Sequence, residues 1–309
     1  MTATPRPFSR GWLLASCVPV LLVLGMAASV PAVPSAAPGP SGPSVAPQAA
    51  MPGMPGMPGM PGMPGMPGAS SAPGRGLAAE QDGYRLNALT TELPAAGPAA
   101  FRFTVTGPDG APVTAFAEHQ TKRLHFYAIR ADLTGFQHLH PEMAGDGTWT
   151  ADLAALAPGS WRLYADFIPD TGSHHAPELV LSRTVTVPGE PVALPLPAPA
   201  DTTTVDGYTV TLRAQPKAGA HELTATISQD GRPVTDLQPY LDSYAHLSAF
   251  HEGDQALAHL HPADPVNGDH GGPVLTFQAL LAEPGNWRIF LQFQTGGRLH
   301  TAELTLHVD

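Results

Sequence analysis

The chain repeats itself. Gly110-Ala-Pro-Val-Thr114 recurs as Gly231-Arg-Pro-Val-Thr235 at an offset of 121 residues, and the same offset pairs His125 with His246, His138 with His259, His140 with His261 and Pro141 with Pro262. After a small change of length, Pro158-Gly-Ser-Trp-Arg162 pairs with Pro284-Gly-Asn-Trp-Arg288, Phe167 with Phe293, and His175-x-x-Glu178 with His300-x-x-Glu303. A sequence of this kind must bury two small cores by one plan. The copies span residues 80–190 and 203–309, and the Pro-rich stretch Val187 to Asp201 joins them.

Each copy reads as β. Alternating or β-branched runs (101–106, 124–129, 161–167, 179–187) are separated by Pro-Asp-Gly, Gly-Asp-Gly and Pro-Gly turns, which is the pattern of short strands joined by tight turns. No stretch holds a helical apolar period for three turns. Some seven strands in about a hundred residues predict an all-β chain of two tandem immunoglobulin-like β-sandwich domains. The paired Trp and Phe residues are expected to pack the cores.

All 14 histidines lie between His119 and His307. Taking 124–129 and 136–140 as a hairpin, with Ile129 opposite Phe136, sets Tyr127 opposite His138 and His125 opposite His140. The second copy then sets Phe250 opposite Leu257, Ser248 opposite His259 and His246 opposite His261. Alternate residues share a face, so His125, His138 and His140 project together, as do His246, His259 and His261. Directly opposed Cβ atoms stand about 5 Å apart, close enough for three imidazoles to close on one ion at about 2.0–2.1 Å. His175 and His300, at the last strand of each copy, are expected as fourth ligands. The reading depends on register, because a slip of one residue would send His125 to the opposite face. Structural histidines bonded to backbone are the alternative. The repeat favours ligands, since Thr121 to Gly135 is largely rewritten as Leu241 to Ala256 while the histidine stays. Imidazoles must be neutral to ligate, so metal affinity is expected to fall below about pH 6.5.

Composition removes other classes. The net charge is −11 and no run of Lys and Arg exists, which argues against a nucleic-acid partner. The only cysteine, Cys17, lies in the N-terminal apolar stretch, so the folded part has neither a disulfide nor a thiolate metal site. No Ser-His-acid or Cys-His set recurs with the histidines, and no enzyme is expected. Gly253-x5-His259-x-His261 resembles the start of a cupin motif, but the Glu expected beyond His261 is missing and the first copy has Asp132 in place of the Gly.

Residues 1–30 read as a signal peptide or an uncleaved signal anchor. Arg6 and Arg10 precede an uncharged stretch from Trp12 to Val30, with small residues at Ala27-Ala28-Ser29. Leu14-Ala15-Ser16-Cys17 matches a lipoprotein box, yet most of the apolar run follows Cys17 instead of preceding it. Export places the folded part outside the cytoplasm, secreted or held at the outer face of the membrane, and membrane contact is confined to this segment. Residues 31–79 read as a disordered linker. It contains six Met-Pro-Gly triplets, beginning at Met51, Met54, Met57, Met60, Met63 and Met66. A spacer explains them. So does a soft-metal array, in which Pro-Gly turns bring thioethers together for Cu(I).

With its His-x-His-Pro hairpins and Pro-Gly-x-Trp-Arg strands, the region 84–309 resembles uncharacterised secreted or membrane-anchored actinobacterial proteins. More loosely it is similar to periplasmic copper-resistance proteins, which combine a β-sandwich, histidine ligands and Met-rich segments. That second resemblance implies metal binding, with copper first and zinc second, in storage, delivery or tolerance. A cell-surface interaction module, with an envelope protein as partner and no metal, is the alternative.

Overall fold

Strands account for all the regular structure among the residues described by the computed structural model, which are 75–172, 176–217 and 220–309. The leader with Cys17, the six Met-Pro-Gly triplets and His175 lie outside the described residues. The first copy supplies β1 (Glu80–Gln81), β2 (Tyr84–Ala88), β3 (Ala99–Thr106), β4 (Phe116–Ala117), β5 (His125–Arg130), β6 (Gln137–Leu139), β7 (Glu142–Met143), β8 (Trp149–Leu153), β9 (Gly159–Pro169) and β10 (Leu179–Val187). The second supplies β11 (Thr202–Val205), β12 (Tyr208–Lys217), β13 (Ala220–Gln229), β14 (Arg232–Pro233), β15 (Ala245–His251), β16 (Leu257–Leu260), β17 (Val274–Ala279), β18 (Gly285–Thr295) and β19 (Arg298–Val308).

In the first domain a sheet of order β1-β2-β3-β8-β7 packs on one of order β10-β9-β5-β6. This is the strand order of an immunoglobulin-type sandwich. The second domain repeats it, with β11-β12-β13-β17 against β16-β15-β18-β19. β3 shows the expected alternation, with Phe101, Phe103 and Val105 turned inward and Arg102 outward. Its rings continue into the facing sheet, where Phe126 lies 5.5 Å from Phe103 between centroids. The recurring tryptophans are core residues in both copies, and each indole donates to a backbone carbonyl four residues earlier: Trp161 to Ala157 at 2.9 Å and Trp287 to Glu283 at 3.0 Å. Gly135, which closes the β5–β6 hairpin, has a φ of +72° and lies against Trp161, where a Cβ would come within 2.4 Å of the ring. Only glycine satisfies both conditions.

Four strands break the alternation. β5 is buried at every position, and β9, β15 and β18 are buried along most of their length on both faces. The cause is that the two domains, which the sequence presents as separate units, are docked sheet to sheet. Tyr127, Ile129, Leu133, Tyr164 and Val180 of the first form one apolar cluster with Phe250, Leu257 and Phe290 of the second. Phe136 stacks on Phe290 at 4.2 Å between centroids. Polar contacts cross as well: Tyr164 Oη donates to the Gln255 carbonyl at 2.5 Å, and Gln255 Nε2 donates to the Arg130 carbonyl at 3.3 Å.

Residues 75–79, assigned in the sequence to the linker, instead run along the docked pair. Arg75 bonds Asp254 and Glu283, each at 2.6 Å, its carbonyl accepts from the Leu257 amide at 3.0 Å, and Gly76 packs on Tyr164 and Val180. The linker between the copies is also fastened, through Arg130 to the Val192 carbonyl at 3.1 Å and the Leu194 amide to Asp132 at 3.0 Å.

Replacing Tyr164 by Phe leaves the Gln255 carbonyl without its buried donor. The expected cost is about 1–2 kcal/mol, visible as a lower urea midpoint at unchanged m-value. An unchanged midpoint would mean that this hydrogen bond contributes nothing to docking.

Candidate metal centre

The hairpin register is the one the sequence predicts. Tyr127 pairs with His138 and Phe126 with Leu139, while Ser248 pairs with His259 and Phe250 with Leu257. One nitrogen from each of His125, His138 and His140 falls within 4.8 Å of the other two, and the same holds for His246, His259 and His261. Both trios project from the docking faces, so they meet. The His125 ring lies 5.3 Å from that of His259 and 6.4 Å from that of His246, and His138 lies 6.0 Å from His246. Six imidazoles thus form one cluster between the domains.

The hydrogen bonds fix which nitrogens carry protons. His125 Nε2 faces the His119 carbonyl at 3.1 Å, and a carbonyl only accepts, so Nε2 holds the hydrogen and Nδ1 keeps its lone pair. His138 Nδ1 faces Gln292 Oε1 at 2.8 Å, and Gln292 Nε2 lies 3.3 Å from Thr301 Oγ1, a hydroxyl that serves either orientation of the amide. With the amide placed so, the hydrogen of His138 is on Nδ1, and its Nε2 stands 3.2 Å from His125 Nδ1. His140 Nε2 is buried beside them without a partner. In the second trio the close contact falls on a different pair. His246 Nε2 donates to the Tyr240 carbonyl at 2.8 Å and its Nδ1 is buried without a partner. His259 Nδ1 donates to Asp166 Oδ2 at 3.0 Å, and its Nε2 faces His261 Nε2 at 3.1 Å.

Converging lone pairs repel unless a cation or a proton lies among them. Burial disfavours the proton. It lowers His125 to about 3 and His140 and His246 to about 4, and it depresses His138, His259 and His261 strongly as well. A tetrahedral ion with bonds of about 2.05 Å needs nitrogens about 3.3 Å apart, close to the 3.1–3.2 Å contacts present. The donor set therefore fits a divalent ion with a taste for imidazole, of which zinc and copper are the common cases. Burial thus holds these rings below the ordinary imidazole value, so proton competition is expected to begin at a lower pH than for imidazoles in water.

The structure does not bring His300 to either trio. It pairs with Phe293 on β18, whereas His246 pairs with Gln292, so the two histidines occupy opposite faces of the sheet. His300 faces the sandwich interior, bonded through Nδ1 to Asp206 at 2.8 Å and through Nε2 to Thr295 at 2.9 Å.

Sequence reasoning missed the residues behind the ligands. Asp166 and Gln292 occupy equivalent positions, each directly before the recurring Phe167 or Phe293, and each bonds a histidine of the other domain. Asp166 is a lone acid in the apolar run Trp161 to Phe167, a visible signal. His119 and Tyr240, aligned at the offset of 121, supply the carbonyls that orient His125 and His246.

Fold and site define a tandem β-sandwich protein with a histidine-lined contact between its halves. The chain belongs to the family described as domain of unknown function (DUF8832), whose model matches residues 79–185 and again residues 203–309. No curated protein matches it. Among solved structures it is similar to the adhesin InvE of Yersinia pseudotuberculosis, at 15% identity and a TM-score of 0.23 over 77% of this chain and 62% of that one. It is similar also to the Escherichia coli adhesin FdeC, at 17% identity and 0.24 over 75% and 66%. A third is the BSP domain of a biofilm-associated protein, at 12% and 0.19 over 72% and 30%. The chain spans less than two thirds of each, and likeness at these scores carries no argument about function. None of these matches bears on the resemblance to copper-resistance proteins.

Proposed function

We propose that this protein is an extracytoplasmic, non-catalytic metal-binding protein that holds divalent zinc or copper in two three-histidine sites between its domains. Metal storage, delivery or tolerance is the role consistent with such sites. The observation that carries the reading is the convergence of one ring nitrogen from each histidine of a trio within 4.8 Å, with His125 Nδ1 and His138 Nε2 face to face at 3.2 Å and His140 Nε2 and His246 Nδ1 buried without partners. His300, which lies outside both trios, has both ring nitrogens bonded. The preference for copper over zinc rests on Met51, Met54, Met57, Met60, Met63 and Met66, which lie outside the described residues. Placement outside the cytoplasm rests on the leader.

The competing proposal is a surface interaction module in which the histidines serve packing alone. The names of the similar structures point that way, at scores too low to weigh. Equilibrium dialysis against Zn(II), which thioethers bind poorly, separates the two. The protein is expected to retain two equivalents. His138→Ala with His140→Ala is expected to retain one, and adding His259→Ala with His261→Ala none, each with far-UV dichroism unchanged. If the parent chain retains neither Zn(II) nor Cu(II), the interaction module is the better reading.

A further inference from the structure

The two trios share their ligand types but not their surroundings. Behind His259 stands Asp166, at 3.0 Å and with a side chain only 2% exposed. Behind His138, in the equivalent place, stands the neutral amide of Gln292 at 2.8 Å. Glu178 is hydrogen-bonded to Asp166, so a second carboxyl stands behind the first on this side of the contact. His119 stands between the trios, its ring 5.9 Å from that of His261 and 6.4 Å from that of His125. Beside the other trio the nearby charge has the opposite sign, since Lys122 acts on His140.

Resting on the metal-binding reading above, we propose that these are unequal sites: His246, His259 and His261 form the tight one, and His125, His138 and His140 the weak one. Asp166, reaching across from the first domain, sets the difference. A carboxylate that accepts from a ligating imidazole makes that imidazole a better donor and partly neutralises the ion, whereas an amide offers only a dipole. In a water-poor contact this difference is large, because little solvent screens it. The tight site is therefore assembled from both domains: its ligands come from the second and its counter-charge from the first. Asp166 is a positioning residue, not a ligand.

The test is Zn(II) affinity of the full chain, measured by competition with a chromophoric chelator. His140→Ala leaves the second-domain trio as the intact site, and His261→Ala leaves the first. The His140→Ala protein is expected to bind at least about tenfold more tightly than the His261→Ala protein. Adding Asp166→Asn to His140→Ala should weaken binding by about 10–100-fold, the usual effect of losing such a partner, and adding it to His261→Ala should change affinity by less than about threefold. Adding Gln292→Glu to His261→Ala should tighten binding by about tenfold. If Asp166→Asn does not fold, this last variant decides. Equal affinity of the two single-site proteins, or an Asp166→Asn effect on the wrong site, overturns the proposal while leaving metal binding standing. If the parent chain takes up no Zn(II), both fall.

Discussion

Acidified from pH 7 toward pH 4 without metal, the protein is expected to unfold well before pH 4 is reached. Six histidines are held far below their ordinary value by burial, whereas in the unfolded chain each titrates near 6.5. Below pH 6.5 the unfolded state thus binds protons that the folded state refuses. Stability falls with pH at about 1.4 kcal/mol per pH unit for each such group. Asp166 and Glu178 act in the opposite sense, because their raised values let the fold take up protons below about pH 7 that the unfolded chain takes up only near pH 4. Two groups against six, with His140 counted only in part because it is only partly buried, leave a net loss on the order of 5 kcal/mol per pH unit below pH 6. A domain pair with the usual 5–15 kcal/mol exhausts that within one to three pH units. Near-UV dichroism of the buried tryptophans and tyrosines, followed with pH in the presence of a chelator, measures it. A metal-free chain whose thermal transition is unchanged at pH 4 would show that these rings reach water and that the cluster is not closed.

Loading the sites should produce a shift of similar size in the other direction. With free Zn(II) a thousandfold above the dissociation constant, each site contributes about 4 kcal/mol. Two sites then raise the melting temperature by at least about 15 °C for a folded region of this size. The same energy moves the acid midpoint down by about one pH unit or more. Differential scanning calorimetry with and without Zn(II) at pH 7 reads the shift, and His138→Ala with His140→Ala should remove the smaller share of it, that of the weaker site. If Zn(II) and Cu(II) both leave the transition where it was, the histidines are packing residues.

Much of this site was legible before any coordinates. The offset of 121 exposed the duplication, turn residues bounded the strands, and hairpin register alone placed His138 opposite Tyr127 and each trio on one face. The docking of the domains was the hidden part, although it left a trace. The runs 125–130 and 245–250 carry almost no polar alternation, the mark of a strand covered on both sides. Read as inner strands of separate sandwiches, they give two independent sites; read as strands covered twice, they bring six rings together. His300 was misplaced for a related reason. Its spacing within the repeat says that it recurs, not which face it takes, and only pairing with Phe293 instead of Gln292 turns it inward. Asp166 and Gln292 eluded sequence reasoning because each serves a histidine of the other copy, more than ninety residues away.

The bonds from Asp166 to His259 and from Gln292 to His138 are reciprocal. In symmetry terms that makes the contact isologous, the kind two identical subunits form across a two-fold axis. Carrying both halves on one chain changes what such a contact can hold. The second half is always present at high effective concentration, so the cluster needs no encounter between molecules. More consequentially, identical subunits must place the same residue on both sides of the axis, and a fused pair need not. Here the two sides differ, Asp166 facing Gln292 and His119 facing Tyr240 across the repeat. A homodimer of single domains could hold only twin sites, whereas this covalent dimer is free to hold two that differ.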